Sequence, residues 1–203
     1  MRRKAMKHTI GVLKLIVVAT GVIALLACNP VAKGDRSPSL LIIESITGTT
    51  ASGETASYLE SDVQKIGQSG AYTTTDSATA ILRASLLNPD SLTGPSQYNN
   101  IILTGYTVNY ELPDGTGTPG TDVPMPLTGQ ISTTMVEIGK SVTVSIQIVL
   151  DTAKLQAPLA QLAQTTNKLQ VNAVIEFIGE DLTGKEVRAK GKLVIIFGDY
   201  PDD

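Results

Sequence analysis

From Leu40 onward, apolar residues recur at every second position or in short runs, separated by clusters of Gly, Ser, Thr, Asn, Asp and Pro. Period two with frequent turn residues predicts strands. Eight segments carry the pattern, near 40–46, 56–66, 78–88, 99–111, 125–135, 141–150, 169–178 and 186–197. The clearest is Ser141–Leu150, where Val142, Val144, Ile146 and Ile148 alternate with Ser141, Thr143, Ser145 and Gln147, so one face buries and the other meets water. In the last segment Val187, Ala189, Leu193, Ile195 and Phe197 share a face opposite Glu186, Arg188, Lys190 and Lys192. Gly191 interrupts that buried face and predicts a bulge. One stretch departs from period two. In TAKLQAPLAQLAQTT, Leu155, Leu159 and Leu162 fall at i, i+4 and i+7, and Pro158 suits a first helical turn. A short helix is expected there, covering a core edge as the chain crosses between strands.

These elements predict an all-β body at 40–203: a two-sheet antiparallel sandwich of immunoglobulin-like architecture, with about eight strands and one short crossover helix. No Cys and Trp pair supports immunoglobulin ancestry, so the expectation concerns architecture alone. LPDGTGTPGTDVP at 112–124 reads as a loop inside this single domain. Strict alternation of strand direction would gather even-numbered connections and both chain ends at one pole.

The first 27 residues differ in kind. Arg2, Arg3, Lys4, Lys7 and Lys14 accompany an apolar run from Leu15 to Ala27, the pattern of an export signal. Thirteen helical residues span only ~20 Å, short of the ~30 Å hydrocarbon core that a permanent span must cross. The whole chain has 16 basic and 19 acidic residues. Removing the leader, with its five basic and no acidic residues, leaves 11 against 19 and a body near −8. Such a body repels phosphate and lacks the basic stripe that releases counterions, which disfavours a nucleic-acid partner.

Leu25-Leu26-Ala27-Cys28 resembles the lipobox of bacterial lipoproteins. The resemblance implies lipid attachment at Cys28, cleavage after Ala27 and acylation of the new amino terminus. It divides the chain into a signal peptide at 1–27, a lipidated cysteine with a tether at 28–39, and the body. Multiple acyl chains give stable membrane anchorage. Asn29 stands where an aspartate would resemble an inner-membrane retention signal, so in a cell with two membranes the outer one is expected. The tether, rich in Pro, Gly and polar residues, keeps the body within ~40 Å of its membrane.

With His8 in the leader and Cys28 consumed by lipid, the processed chain offers no imidazole and no thiol. Serine triads and the usual zinc sites are thereby excluded. Gly179–Lys185 has P-loop spacing, but Glu186 replaces the required Ser or Thr and a strand pattern follows, so a hairpin loop is expected. Calcium takes hard oxygen ligands, and Asp114, Asp122 and Asp151 are the candidate ligands on loops. Tyr72 and Tyr98, read as loop residues, are the candidate ligand contacts, whereas Tyr106 and Tyr110 share a strand face with core residues. The expected function is that of a non-catalytic binding or assembly module in the cell envelope, with a protein or glycan partner. The alternatives are a calcium-dependent carbohydrate-binding protein and a carboxylate-based glycan hydrolase.

Overall fold

The computed structural model describes residues 36–90 and 94–201; the leader and Cys28 lie outside them. Residues from Ser37 onward form one compact unit, beginning slightly ahead of the expected boundary at 40. Its strands are β1 (Ser39–Thr49), β2 (Thr55–Ala56), β3 (Tyr58–Asp62), β4 (Lys65–Gly67), β5 (Gly70–Tyr72), β6 (Asp76–Leu86), β7 (Ile101–Glu111), β8 (Leu127–Val136), β9 (Ser141–Val149), β10 (Leu169–Asp181) and β11 (Glu186–Gly198). Two sheets, ordered β2-β1-β6-β9 and β3-β11-β10-β7-β8, make the all-β sandwich, and β4 with β5 forms a separate small hairpin. All eight expected segments are strands. The three additional ones are two or three residues long, too short to display a period in sequence.

Strict alternation does not hold. After the β1–β2 turn the chain bends again at Ser57, and β3 joins the second sheet parallel to β11. This is the one parallel pair among the described strands, and the long intervening chain is what permits it. Among the described residues, the chain therefore enters and leaves the sandwich at opposite poles. Ser37 and the start of β1 lie beside Asn99 and the β10–β11 turn. Gly198, at the end of β11, accepts a bond from Val63 next to Asp62. We refer to these ends as the N-terminal and C-terminal poles.

The core draws on both sheets, with Leu82, Ala84 and Ile146 from one and Leu103, Ile175, Phe177 and Ile195 from the other. Tyr106 and Tyr110 on β7 cross the interior and donate their hydroxyls to Gln147 O, at 3.0 Å, and Ile148 O on β9. Between Asp76 and Ser77 the β6–β9 register skips Ile148, and the Tyr110 hydroxyl supplies a partner for this extra residue's carbonyl. Burial pushes both phenols up, so they remain neutral donors. Gly129 on β8 makes room for the crossing, since a Cβ there would lie 2.2 Å from Tyr106 Cζ. Gly191 is not a bulge: its register with Ile175 is unbroken, and its missing side chain admits Ile43 and Ile46 of β1.

The predicted helix is also revised. The regular turn is α1 (Asp151–Lys154), and Leu159–Gln161 form a separate 3-10 turn after Pro158. Leu159 is buried and Leu155 points outward, so the leucine spacing is not one helical stripe. Pro158 lacks the N–H that a continuous helix would need at that position.

A hydrogen-bonded clasp fixes the chain at the N-terminal pole. Ser37 Oγ donates to Asp181 Oδ2 at 2.6 Å, and Ser39 Oγ donates to Asn99 O at 2.6 Å. Asp181 Oδ1 accepts from Thr183 N, Thr183 Oγ1 and Lys185 N, which shapes the β10–β11 turn with Gly184 in the left-handed region. The P-loop-like segment is thus a hairpin turn. Burial alone would raise the Asp181 carboxyl, but the bonds from Ser37, Thr183 and Lys185 outweigh it and hold the group below the usual aspartate range.

Gly129→Ala is expected to cost about 3 kcal/mol, the upper end of overpacking penalties, and Tyr110→Phe about 1–3 kcal/mol by leaving the Ile148 carbonyl unpaired. Urea unfolding measures both. Asp181→Asn should lower stability at neutral pH by about 1.5–3 kcal/mol. Because the folded-state pKa is lowered, the carboxylate's contribution is present above the unfolded value and fades as pH falls through the folded one. Unfolding curves across the acid range should show a smaller acid-induced loss in the variant.

Candidate functional site

The C-terminal pole carries a polar groove of about 370 Å³. Four pieces of chain build it: the β1–β2 turn, the end of β3, the β4–β5 hairpin leading to β6, and the segment after β11. The turn is held by its own polar groups. Thr50 N donates to Glu54 O, Glu54 N returns a bond to Thr50 Oγ1, and Gly53 takes a positive φ. Glu60 Oε2 accepts from Ala51 N at 2.8 Å, which fastens the turn to β3. Opposite lies Tyr200, its hydroxyl donating to Ile196 O and its ring 4.0 Å below Lys168 Nζ. Burial, followed by the nearby Glu60, Asp62 and Tyr58, pushes its phenol up to about 12. Glu60, Asp62, Asp76, Lys65 and Tyr72 line the groove, and each carboxylate has one oxygen engaged within the protein: Glu60 Oε2 by Ala51 N, Asp62 Oδ1 by Gln64 N and Tyr200 N, and Asp76 Oδ2 by Lys154 and Ser61. Carboxylates are pure acceptors, so these surfaces suit a ligand rich in hydroxyl or amine donors.

Beneath the groove is a buried charge. The Lys154 side chain has no exposed surface, and Nζ lies 2.9 Å from Asp76 Oδ2 while donating to Asp62 O at 2.7 Å. Ser61 Oγ donates to the same Asp76 oxygen at 2.6 Å. Asp76 opens β6 in one sheet, Ser61 and Asp62 close β3 in the other, and Lys154 belongs to the crossover from β9 to β10. Ser61 is fully buried and its hydroxyl is committed to Asp76, a structural position. Sequence reasoning missed Lys154, because a lysine beside an apolar stretch reads as solvated. The only hint was that Asp76, Asp151 and Lys154 all fall at connections between strands.

The residues expected to carry function separate. Tyr72 is exposed and lines the groove, on β5 rather than in a loop. Tyr98 is exposed in a 3-10 turn at the N-terminal pole, so the two tyrosines belong to different surfaces. Asp114 accepts from Thr116 N and Oγ1, Asp122 from Thr118 N, and Asp151 from Thr152 N. The hydroxyl and amide of Thr116 hold the Asp114 carboxyl below its usual range. Among the described residues, no three acid, histidine or cysteine groups converge as metal ligands would. Each of the three aspartates accepts a local turn bond of the kind short polar side chains make. Cys28 lies outside the described residues.

Neither protein-family models nor curated proteins match this chain. Among the described residues, no helix is long and apolar enough to cross a membrane.

Lys154→Ala should cost about 3–5 kcal/mol, the penalty for stranding a buried partner, while Lys154→Met combined with Asp76→Leu should recover much of that loss. Denaturant titration of the two variants reads the difference. Calcium is expected to leave the thermal midpoint unchanged relative to chelator, since a ligand bound only by the native state would raise it.

Proposed function

We propose that the protein is a membrane-anchored cell-envelope lipoprotein acting as a non-catalytic binding or assembly module, with the C-terminal groove as its recognition surface. The observation that carries this reading is the separation of the two ends. The chain enters the sandwich at Ser37, clasped by Asp181, whereas the groove lies at the opposite pole. A tether leaving from Ser37 therefore keeps the groove away from the anchor. The lipobox-like junction at Cys28 supports the anchoring, and the acceptor-rich lining supports a partner bearing hydroxyl or amine donors, such as an envelope protein or glycan.

Two measurements on native protein extracted from membranes test this. Mass spectrometry should find an N-terminal peptide that begins at an acylated Cys28; a free sulfhydryl there contradicts the anchoring. Immobilised protein should retain an envelope protein or glycan, and Tyr72→Ala should reduce that retention by about tenfold, as expected for an aromatic contact that supplies ~1–2 kcal/mol. Equal retention by both forms contradicts the assignment of the groove.

A further inference from the structure

We propose that the N-terminal pole is a membrane-facing surface, and that in the anchored protein Leu87, Tyr98 and Leu182 rest in the interface of the bilayer holding the Cys28 lipid. The proposal rests on the anchoring reading above and adds an orientation and a contact surface to it.

The reach of the tether limits the orientations. Ser37 is fixed in the body by Asp181, so only the eight residues Asn29–Arg36 separate it from Cys28. Fully extended, the steps from Cys28 to Ser37 cover at most ~32 Å. The thirteen-residue strands β10 and β11 make the sandwich ~40 Å long. The C-terminal pole cannot then turn to face the bilayer with the N-terminal pole outermost, since the tether would have to span the whole body.

The surface beside Ser37 has interfacial chemistry. Leu87, Tyr98 and Leu182 are 60%, 58% and 39% exposed. Backbone bonds join them around the start of the chain: Leu87 N donates to Pro38 O, and Leu182 N to Tyr98 O and Asn100 O. Two connections, β6–β7 with Leu87 and Tyr98 and β10–β11 with Leu182, thus bring large apolar side chains to one pole. A tyrosine has an apolar body and a polar tip, a combination enriched where bilayer meets water.

Charge favours the same pole. Its connecting segments carry Arg36, Lys140 and Lys185 with Asp90 and Glu137. Asp181 is buried there, while Glu180 and Glu186 are exposed, Glu186 paired with Arg188 and Lys140 with Glu137, so acids and bases nearly balance at this pole. The C-terminal pole also exposes Ile66 and Leu155, but there Lys65 and Lys168 are outnumbered by Glu54, Asp114, Asp122, Asp151, Asp199 and the groove carboxylates. An anionic leaflet repels that end and tolerates the other.

The full lipidated chain has no second cysteine, so a single one introduced at an exposed position can carry a fluorophore. Leu87→Cys, Tyr98→Cys, Leu182→Cys and, at the opposite pole, Ile66→Cys would be labelled and reconstituted into vesicles of phosphatidylethanolamine and phosphatidylglycerol containing a nitroxide-bearing lipid. Labels at 87, 98 and 182 should lose most of their emission to the nitroxide while the label at 66 keeps its own. Circular dichroism matching the parent identifies the folded variants, and any one of the three suffices for the comparison. If Cys28 is acylated and the protein floats with the vesicles, yet these labels stay as bright as the one at 66, the membrane-facing surface is wrong and the anchoring stands. An unacylated Cys28 in the same preparation overturns both.

Discussion

An ammonium group removed from water must find anions and carbonyls or give up its charge, and this requirement locks the C-terminal pole together. Lys154 meets it with the Asp76 carboxylate and the Asp62 carbonyl, while Ser61 occupies the same carboxylate from the other sheet. Each group arrives on a different segment, so the arrangement forms only when both sheets and the crossover have reached their final places. A buried pair of this kind adds little net stability over an apolar replacement, but losing one partner is costly. We infer that its contribution is to position rather than strength. Floor and wall of the groove are set by the same contact, since Asp62 and Asp76 both line it.

The second sheet-to-sheet connection works by a different principle. Tyr106 and Tyr110 fill interior volume with their rings and use their hydroxyls to satisfy carbonyls on β9, a strand at the edge of its sheet. Unsatisfied edge carbonyls invite another strand, and these two are already occupied from within. Gly129 and Gly191 both leave room in the second sheet, one for the ring of its cross-strand neighbour Tyr106 and the other for Ile43 and Ile46 of the facing sheet.

The fold was legible because half-buried strands write a period of two into the chain. Val144, Ile146 and Ile148 on β9, and Leu193, Ile195 and Phe197 on β11, follow that period and are buried in the core. Strand direction was not legible, because the reversal at Ser57 depends on which sheet β3 joins and leaves no local pattern. The groove was nearly invisible for a related reason. Tyr72 was singled out by its chemistry, but Glu60, Asp62 and Tyr200 come together only through the parallel pairing of β3 with β11. Lys154 was hidden by its residue type, and the loop aspartates drew notice for chemistry that their own backbones use.

The opposed ends of the chain have a mechanical consequence. A partner pulling at the groove against an anchor beyond Ser37 would load the sandwich along its strands. Eight registered residue pairs join β1 to β6 in antiparallel alignment. Traction in that direction shears the whole ladder at once instead of peeling its rungs one after another, the geometry in which many weak bonds resist as a group. Under the proposed anchoring and contact surface, the sandwich would be strung in the orientation that best withstands drag.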